Sequence, residues 1–286
     1  MTFRRVTLLV VLLLVLVVAV AMWIGTRGQQ QALADDIARL MAARTADASS
    51  LTSGDKALEG LPPPVARYLR LALRTRRAIE EVRIAQTGTV RTDPTSERWM
   101  SFEAEHLAVP PATGFHWNAR VQIAPMLHVG VRDALIDGVG SGQVSLLSAF
   151  PVSSATGGIE MNAGSLHRYL AEAVWYPDAL LPGPHLQWTP IDDNRALATL
   201  THGDVSVSLE FRFADSGEAT GIYTPARWGK FGDAFRQIPW EGHFRDYRER
   251  DGVVVPTYGE VGWYVRDEWR AVWKGTVTAY RVRFRE

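Results

Sequence analysis

Arg168, Tyr169, Glu172, Trp175 and Tyr176 fall within one short stretch, spaced so that a helix sets the arginine and the glutamate four apart with aromatic rings alongside. On an exposed face such a pair is commonly a solvated salt bridge worth about 0.3–0.5 kcal/mol. Turned inward, the same guanidinium clamps a carboxylate or an anionic headgroup. Further on, Tyr258 and Glu260 share a strand parity and Trp263 faces the other way. A buried Glu260 needs a cation, and Arg168 is the candidate. These seven residues, Arg168, Tyr169, Glu172, Trp175, Tyr176, Tyr258 and Glu260, are the ligand-binding candidates.

Other groups have blander readings. Asp192 and Asp193 could be paired acids, one with a raised pKa serving as general acid, but Ile-Asp-Asp-Asn ahead of a strand also reads as a turn. His202 and Asp204 flank Gly203, which marks a hairpin rather than a metal pair. His116 sits on the polar side of its strand and is expected in solvent; the facing of His128 and His243 stays open. The chain has no phosphate loop, no G-x-S-x-G elbow, no H-E-x-x-H and no dinucleotide fingerprint. No catalytic residue is assigned, and neither cofactor nor metal is expected. The absence of cysteine removes disulfides, thiolate sites and lipid anchors on cysteine, and zero formal net charge over 286 residues argues against a nucleic-acid partner.

Val6 to Thr26 carries no charge and follows Arg4 and Arg5. As a helix it is about 31 Å long, enough to cross a bilayer core of about 30 Å. A cleavable signal peptide is the competing reading, with a small-x-small site at Ala19 to Ala21. Both readings export the remainder. The basic residues before the segment keep the N-terminus cytoplasmic, so the expected location is the cell membrane, single-pass, with the β domain extracytoplasmic. Residues 1–28 are thus an anchor, 29–60 a helical stalk and link (Leu33, Ile37, Leu40 and Met41 at helical spacing, Ala48 to Gly54 flexible), and 61–286 the exported domain.

Within that domain, Leu61-Pro62-Pro63-Pro64 sets up a helix over Val65 to Arg77. The period then becomes two. Phe115, Trp117, Ala119, Val121 and Ile123 alternate with polar residues, as do Val205, Val207, Leu209, Phe211 and Phe213. Turn chemistry at Asp93-Pro94, Asp137-Gly138, His202-Gly203-Asp204, Asp215-Ser216-Gly217 and Asp251-Gly252 separates such runs. One later helix, Ala163 to Trp175, is expected to be capped by Asn162 and stopped by Pro177. The spacing predicts a mainly antiparallel β domain, a curved open sheet or half-barrel of roughly 10–12 strands covered by one helix.

Three blocks carry a resemblance: Arg168-Tyr169-Leu170 through Trp175-Tyr176-Pro177 to Pro182, Trp188 to Asp193, and Asp246 to Trp263 with its Pro256-Thr257-Tyr258-Gly259-Glu260 core. Together they resemble an uncharacterised bacterial family of membrane-anchored domains of unknown function, over about Leu61 to Phe284. The resemblance implies a fold similar to the half-barrels of lipoprotein carriers such as LolA and LolB, and no reaction. A curved sheet with one covering helix leaves an apolar hollow, and tethering places lipids beside it. The expected function is therefore a membrane-tethered extracytoplasmic domain that binds an apolar or lipid-like ligand. The alternatives are an envelope enzyme using Asp, Glu and His groups, and a structural or interaction module of an envelope complex. Protein partners are unknown.

Overall fold

The computed structural model describes residues 2–43, 55–75, 77–232 and 234–285; the expected flexible link at Ala48 to Gly54 lies outside them. A single antiparallel sheet of thirteen strands dominates. In chain order these are β1 (Ile79–Val90), β2 (Met100–Val109), β3 (Gly114–Ala124), β4 (Leu127–Ile136), β5 (Val139–Leu146) and β6 (Phe150–Thr156). After a helix come β7 (Leu186–Asp192), β8 (Arg195–His202), β9 (Val205–Phe213), β10 (Ala219–Phe231), β11 (Ala234–Arg250), β12 (Val253–Val265) and β13 (Glu268–Phe284).

The chain enters mid-sheet at β1, meanders out to the edge at β6, crosses to the opposite edge at β7 and returns until β13 closes against β1. Two-residue turns with left-handed backbone, such as Asp137-Gly138 (φ 52° and 74°), supply the hairpins that the sequence marks. The crossing from β6 to β7 is made by α3 (Ile159–Glu172), continued by short 3-10 turns at Ala173–Trp175 and Pro177–Leu180. A 14-residue helix spans about 21 Å, whereas the edges of a flat thirteen-strand sheet would lie about 58 Å apart. The sheet must curl until its edges approach, and α3 then packs across the gap against β5, β9 and β10. Gly164 permits this closeness, since a Cβ there would stand 2.8 Å from the Trp228 carbonyl oxygen on β10.

One end of the half-barrel is filled. Pro63 starts α2 (Pro63–Ala72), ten residues that end short of the expected Arg77, and Val65, Tyr68, Leu69 and Ala72 are buried there. They join Ile79, Phe115, Leu135, Tyr176, Leu180 and Phe211 in the core. The expected alternations are seen: on β3 Phe115, Trp117, Ala119 and Val121 are buried, and on β9 Val207, Leu209, Phe211 and Phe213 are.

The N-terminal helix α1 (Thr2–Ala42) runs unbroken through the apolar segment and beyond it. Its second half lies along the outer face of the sheet. Gly25 abuts Ala149 in the β5–β6 turn, Gln29 accepts from Arg132 at 2.9 Å, and Leu40 is fully buried with Leu107, Val109, Ala112, Ala134 and Ile136. This corrects the expectation for His116. It lies on the outer side of β3, but α1 covers it, leaving it buried 3.9 Å from Asp36. Burial pushes its pKa down to about 4, against a weaker pull from Asp36.

Candidate functional site: a cavity with an ionic wall

The other end of the half-barrel is hollow, with a cavity of about 550 Å³, within the range of small-molecule sites. Its wall is mostly apolar, including Val121, Val129, Val131, Val144, Val261 and Trp273. Val90, Met100, Ile123 and Val129, all at or near the ends of their strands, place it at the end of the sheet opposite α2. That is also the end where α1 leaves the sheet. Leu40 packs at the filled end and Gly25 at the β5–β6 turn, so Val6 to Ile24, with their leucines, valines, Trp23 and Ile24 exposed, project beyond the hollow end. The tip of the β3–β4 hairpin carries Met126, 95% exposed, and Leu127 at that same end.

A polar group interrupts the apolar wall. On β4 the inward series Val129, Val131, Asp133, Leu135 places one acid among aliphatics. Arg168 on α3 bonds both Asp133 (Nη1 to Oδ2, 2.7 Å) and Glu172 (Nε to Oε1, 2.8 Å). Its guanidinium also lies 5.0 Å from the ring centroids of Phe115 and Trp117. Burial opposes the charge on Arg168, but Glu172 and Asp133 outweigh it and hold the pKa above its ordinary value. Burial raises Asp133, with Arg168 restraining the rise. Arg227, from β10, is the second cation on the wall.

Of the seven sequence candidates, Arg168, Glu172 and Trp175 line the cavity. The Arg168–Glu172 pair is neither solvated nor free, since Asp133 completes it. Trp175 donates to the Pro256 carbonyl at 2.9 Å, which fixes its indole. Tyr169 and Tyr176 are buried with rings 5.3 Å apart, and the Tyr176 hydroxyl donates to the Tyr169 carbonyl. Tyr258 and Glu260 share a side, but it is the outer one: their neighbours Gly259 and Val261 face Trp175 and the cavity. There Tyr258 donates to Glu260 at 3.1 Å, and His243 and Lys274 stand 3.7 and 3.9 Å from Glu260, so its partners are these and not Arg168. Asp192, exposed at the end of β7 just before the turn at Asp193 and Asn194, has its pKa held below the usual range by the Asn194 amide and Arg195. Gly203 has the left-handed backbone of a hairpin turn. Among the described residues no three His, Asp or Glu side chains gather as metal ligands.

Sequence reasoning missed Asp133 and Arg227. Asp133 was detectable as the one acid at an inward position of β4. Arg227 was hidden by a bulge in β10 between Thr224 and Arg227, which shifts the period by one residue.

A family model described as a family of unknown function, DUF6544, matches residues 51–275. The chain belongs to that family. No protein with a curated description matches it. Among solved structures, this chain is similar to a LolA superfamily protein from Nitrosomonas europaea: 10% identity, 78% of this chain and 93% of that chain, TM-score 0.40. It is also similar to a putative outer membrane lipoprotein-sorting protein domain from Vibrio parahaemolyticus, at 7% identity over 71% and 85% of the two chains, TM-score 0.42. A beta-barrel-like protein of unknown function from Brucella abortus gives 11% identity, 72% and 99% coverage, and TM-score 0.24. These likenesses concern architecture alone.

Proposed function

We propose that this chain is a membrane-tethered extracytoplasmic binding domain that takes an apolar or lipid-like ligand into the hollow end of its half-barrel. One observation carries the reading: the apolar cavity lies at the end of the sheet from which the membrane-length helix departs. With Arg4 and Arg5 cytoplasmic, the hollow end faces the outer leaflet, and the exposed Met126 and Leu127 meet it first. A lipid tail then passes from bilayer to cavity without crossing much water, and each methylene moved from water to the wall contributes about 0.8 kcal/mol. The carboxylates at the cavity, Asp133 and Glu172, are engaged by Arg168, which favours binding over acid–base chemistry.

The test is native mass spectrometry of the full-length protein released from detergent, with extraction of whatever it carries. The unaltered protein is expected to retain an apolar ligand. Val131→Phe combined with Val261→Phe fills the hollow from two facing strands and is expected to lower ligand occupancy about tenfold or more. Its melting temperature should hold or rise, because the added rings occupy empty space instead of a packed core. Unaltered protein that is empty, or a filled variant that keeps its ligand, would sink the proposal.

A further inference from the structure

The two arginines on the cavity wall are not equivalent. Arg168 has both carboxylates. Among the described residues, Arg227 donates to a single protein oxygen, the Gly164 carbonyl at 2.9 Å, and its Nε is buried with no hydrogen-bond partner. Among the described residues no carboxylate lies within ion-pairing distance of it. Its remaining company is two indoles, with Trp240 and Trp263 centroids 4.5 and 5.0 Å from the guanidinium carbon. Arg227 is half-buried, so its charge loses part of its hydration on the cavity wall, and the cation–π contacts return only some of that loss. The charge is therefore under-compensated. Burial, reinforced by the nearby charge of Arg168 and only partly opposed by Glu172 and Asp133, which stand beyond ion-pairing distance, lowers its pKa to about 10, which still leaves it a cation at neutral pH. Its inward direction is built in: the β10 bulge at Pro225-Ala226 puts Arg227 on the same side as buried Ile222 and Thr224, where an unbroken period of two would turn it outward.

Resting on the apolar-ligand reading above, we propose that Arg227 is the anion site of the cavity: it binds the oxyanion headgroup, a carboxylate or phosphate monoester, of a single-chain amphiphile. The hydrocarbon chain lies on the wall formed by Val121, Val129, Val131, Val144 and Val261. The oxyanion takes the open donors of Arg227, and the indoles of Trp240 and Trp263 shield the pair from water. Headgroup and tail then account for the two unlike features of one cavity.

The test uses tryptophan quenching in the detergent-solubilised full chain, with Trp23→Phe to silence the indole in the anchor. Trp117, Trp175, Trp240, Trp263 and Trp273 line the cavity and report its occupancy. The probes are 9,10-dibromostearic acid, ionised at mildly alkaline pH, and its methyl ester. The acid is expected to saturate the quenching at a concentration about tenfold or more below the ester, about 1.4 kcal/mol. Arg227→Gln should abolish that difference and Arg227→Lys should keep much of it, with melting curves confirming that both variants fold. If Arg227→Gln fails to fold, the acid–ester comparison on the parent chain still decides. Equal, saturable quenching by acid and ester overturns the anion site and leaves the apolar pocket standing. Quenching that saturates with neither probe overturns the binding reading itself. Inorganic phosphate is expected not to displace the acid at matching concentrations; displacement would show a free-anion site and overturn the amphiphile proposal.

Discussion

Replacing Arg168 with methionine lowers the stability of the folded chain by about 3 kcal/mol at neutral pH, a value near the lower end for breaking a buried ion pair. The size follows from what remains. Glu172 keeps 16% of its side-chain surface and Asp133 36%, the latter opening on the cavity, where solvent screens part of the cost. Without the guanidinium, two carboxylates face each other across an apolar wall, and burial already raises Asp133. The folded pKa of Asp133 must then rise further above its unfolded value. Groups raised in this way stabilise the fold below their unfolded pKa and lose that contribution as pH climbs through the folded value. The variant is thus worst at neutral to alkaline pH and partly recovers in acid. Adding Asp133→Asn and Glu172→Gln removes the stranded charges and should restore most of the loss, while Arg168→Lys, a point charge without the fork, should rescue only in part. Denaturant unfolding followed by circular dichroism checks all four proteins. An Arg168→Met chain as stable as its parent would show that the triad is solvated and not part of the wall.

What the sequence announced and what it hid follow from the range of the forces involved. The alternation on β3 and β9 is local, because each residue's facing depends only on its neighbours, and the structure keeps it. The helix across the gap was legible for the same reason, though it begins at Ile159, before Asn162. Asn162 does not cap its own helix; its side chain accepts from the Gly140 amide on β5 and ties α3 to one arm of the sheet. Long-range docking left no such trace. Leu33, Ile37, Leu40 and Met41 mark α1 as one-sided without saying what that side covers, and it covers His116. The same limit explains Glu260. Parity pairs it with Tyr258, but which parity faces inward is decided by β11 and β13, residues apart in sequence and adjacent only after the sheet has formed. Arg227 escaped because a bulge is a break in period, and a period of two hides its own interruption.

Acid should unfold this chain well before its carboxylates require it to, and three buried histidines are the reason. His106, His116 and His167 each have a pKa pushed down to about 4, in every case chiefly by burial. His106 lies between Phe115 and Tyr176, with centroids 5.8 and 6.3 Å away, and neither ring nitrogen has a hydrogen-bond partner among the described residues. For a histidine lowered from about 6.5 in the unfolded chain, the unfolded state takes up a proton first as pH falls. The fold holds that contribution in full above about 6.5 and loses it between there and 4, roughly 3 kcal/mol for each fully buried ring. Asp178 works the other way. It is buried, accepts from the Ile79 amide at 2.8 Å, and burial raises it to about 7, so its contribution grows as pH falls through 7. Asp178 set against these three imidazoles leaves a net uptake of about two protons on unfolding from the four groups, a slope of up to roughly 2–3 kcal/mol per pH unit near pH 5. Asp133, also raised, acts in the same sense as Asp178, and His128 and His202, also lowered, act with the three. His106→Phe removes one of the three without removing any hydrogen bond, and should flatten the slope by about half while leaving neutral-pH stability equal or higher. Melting temperatures from pH 7 to 4.5 decide the matter: a curve that stays level for the parent, or a His106→Phe curve as steep as the parent's, would mean that the rings are hydrated in solution and that the aromatic core around Tyr176 is looser than the packing implies.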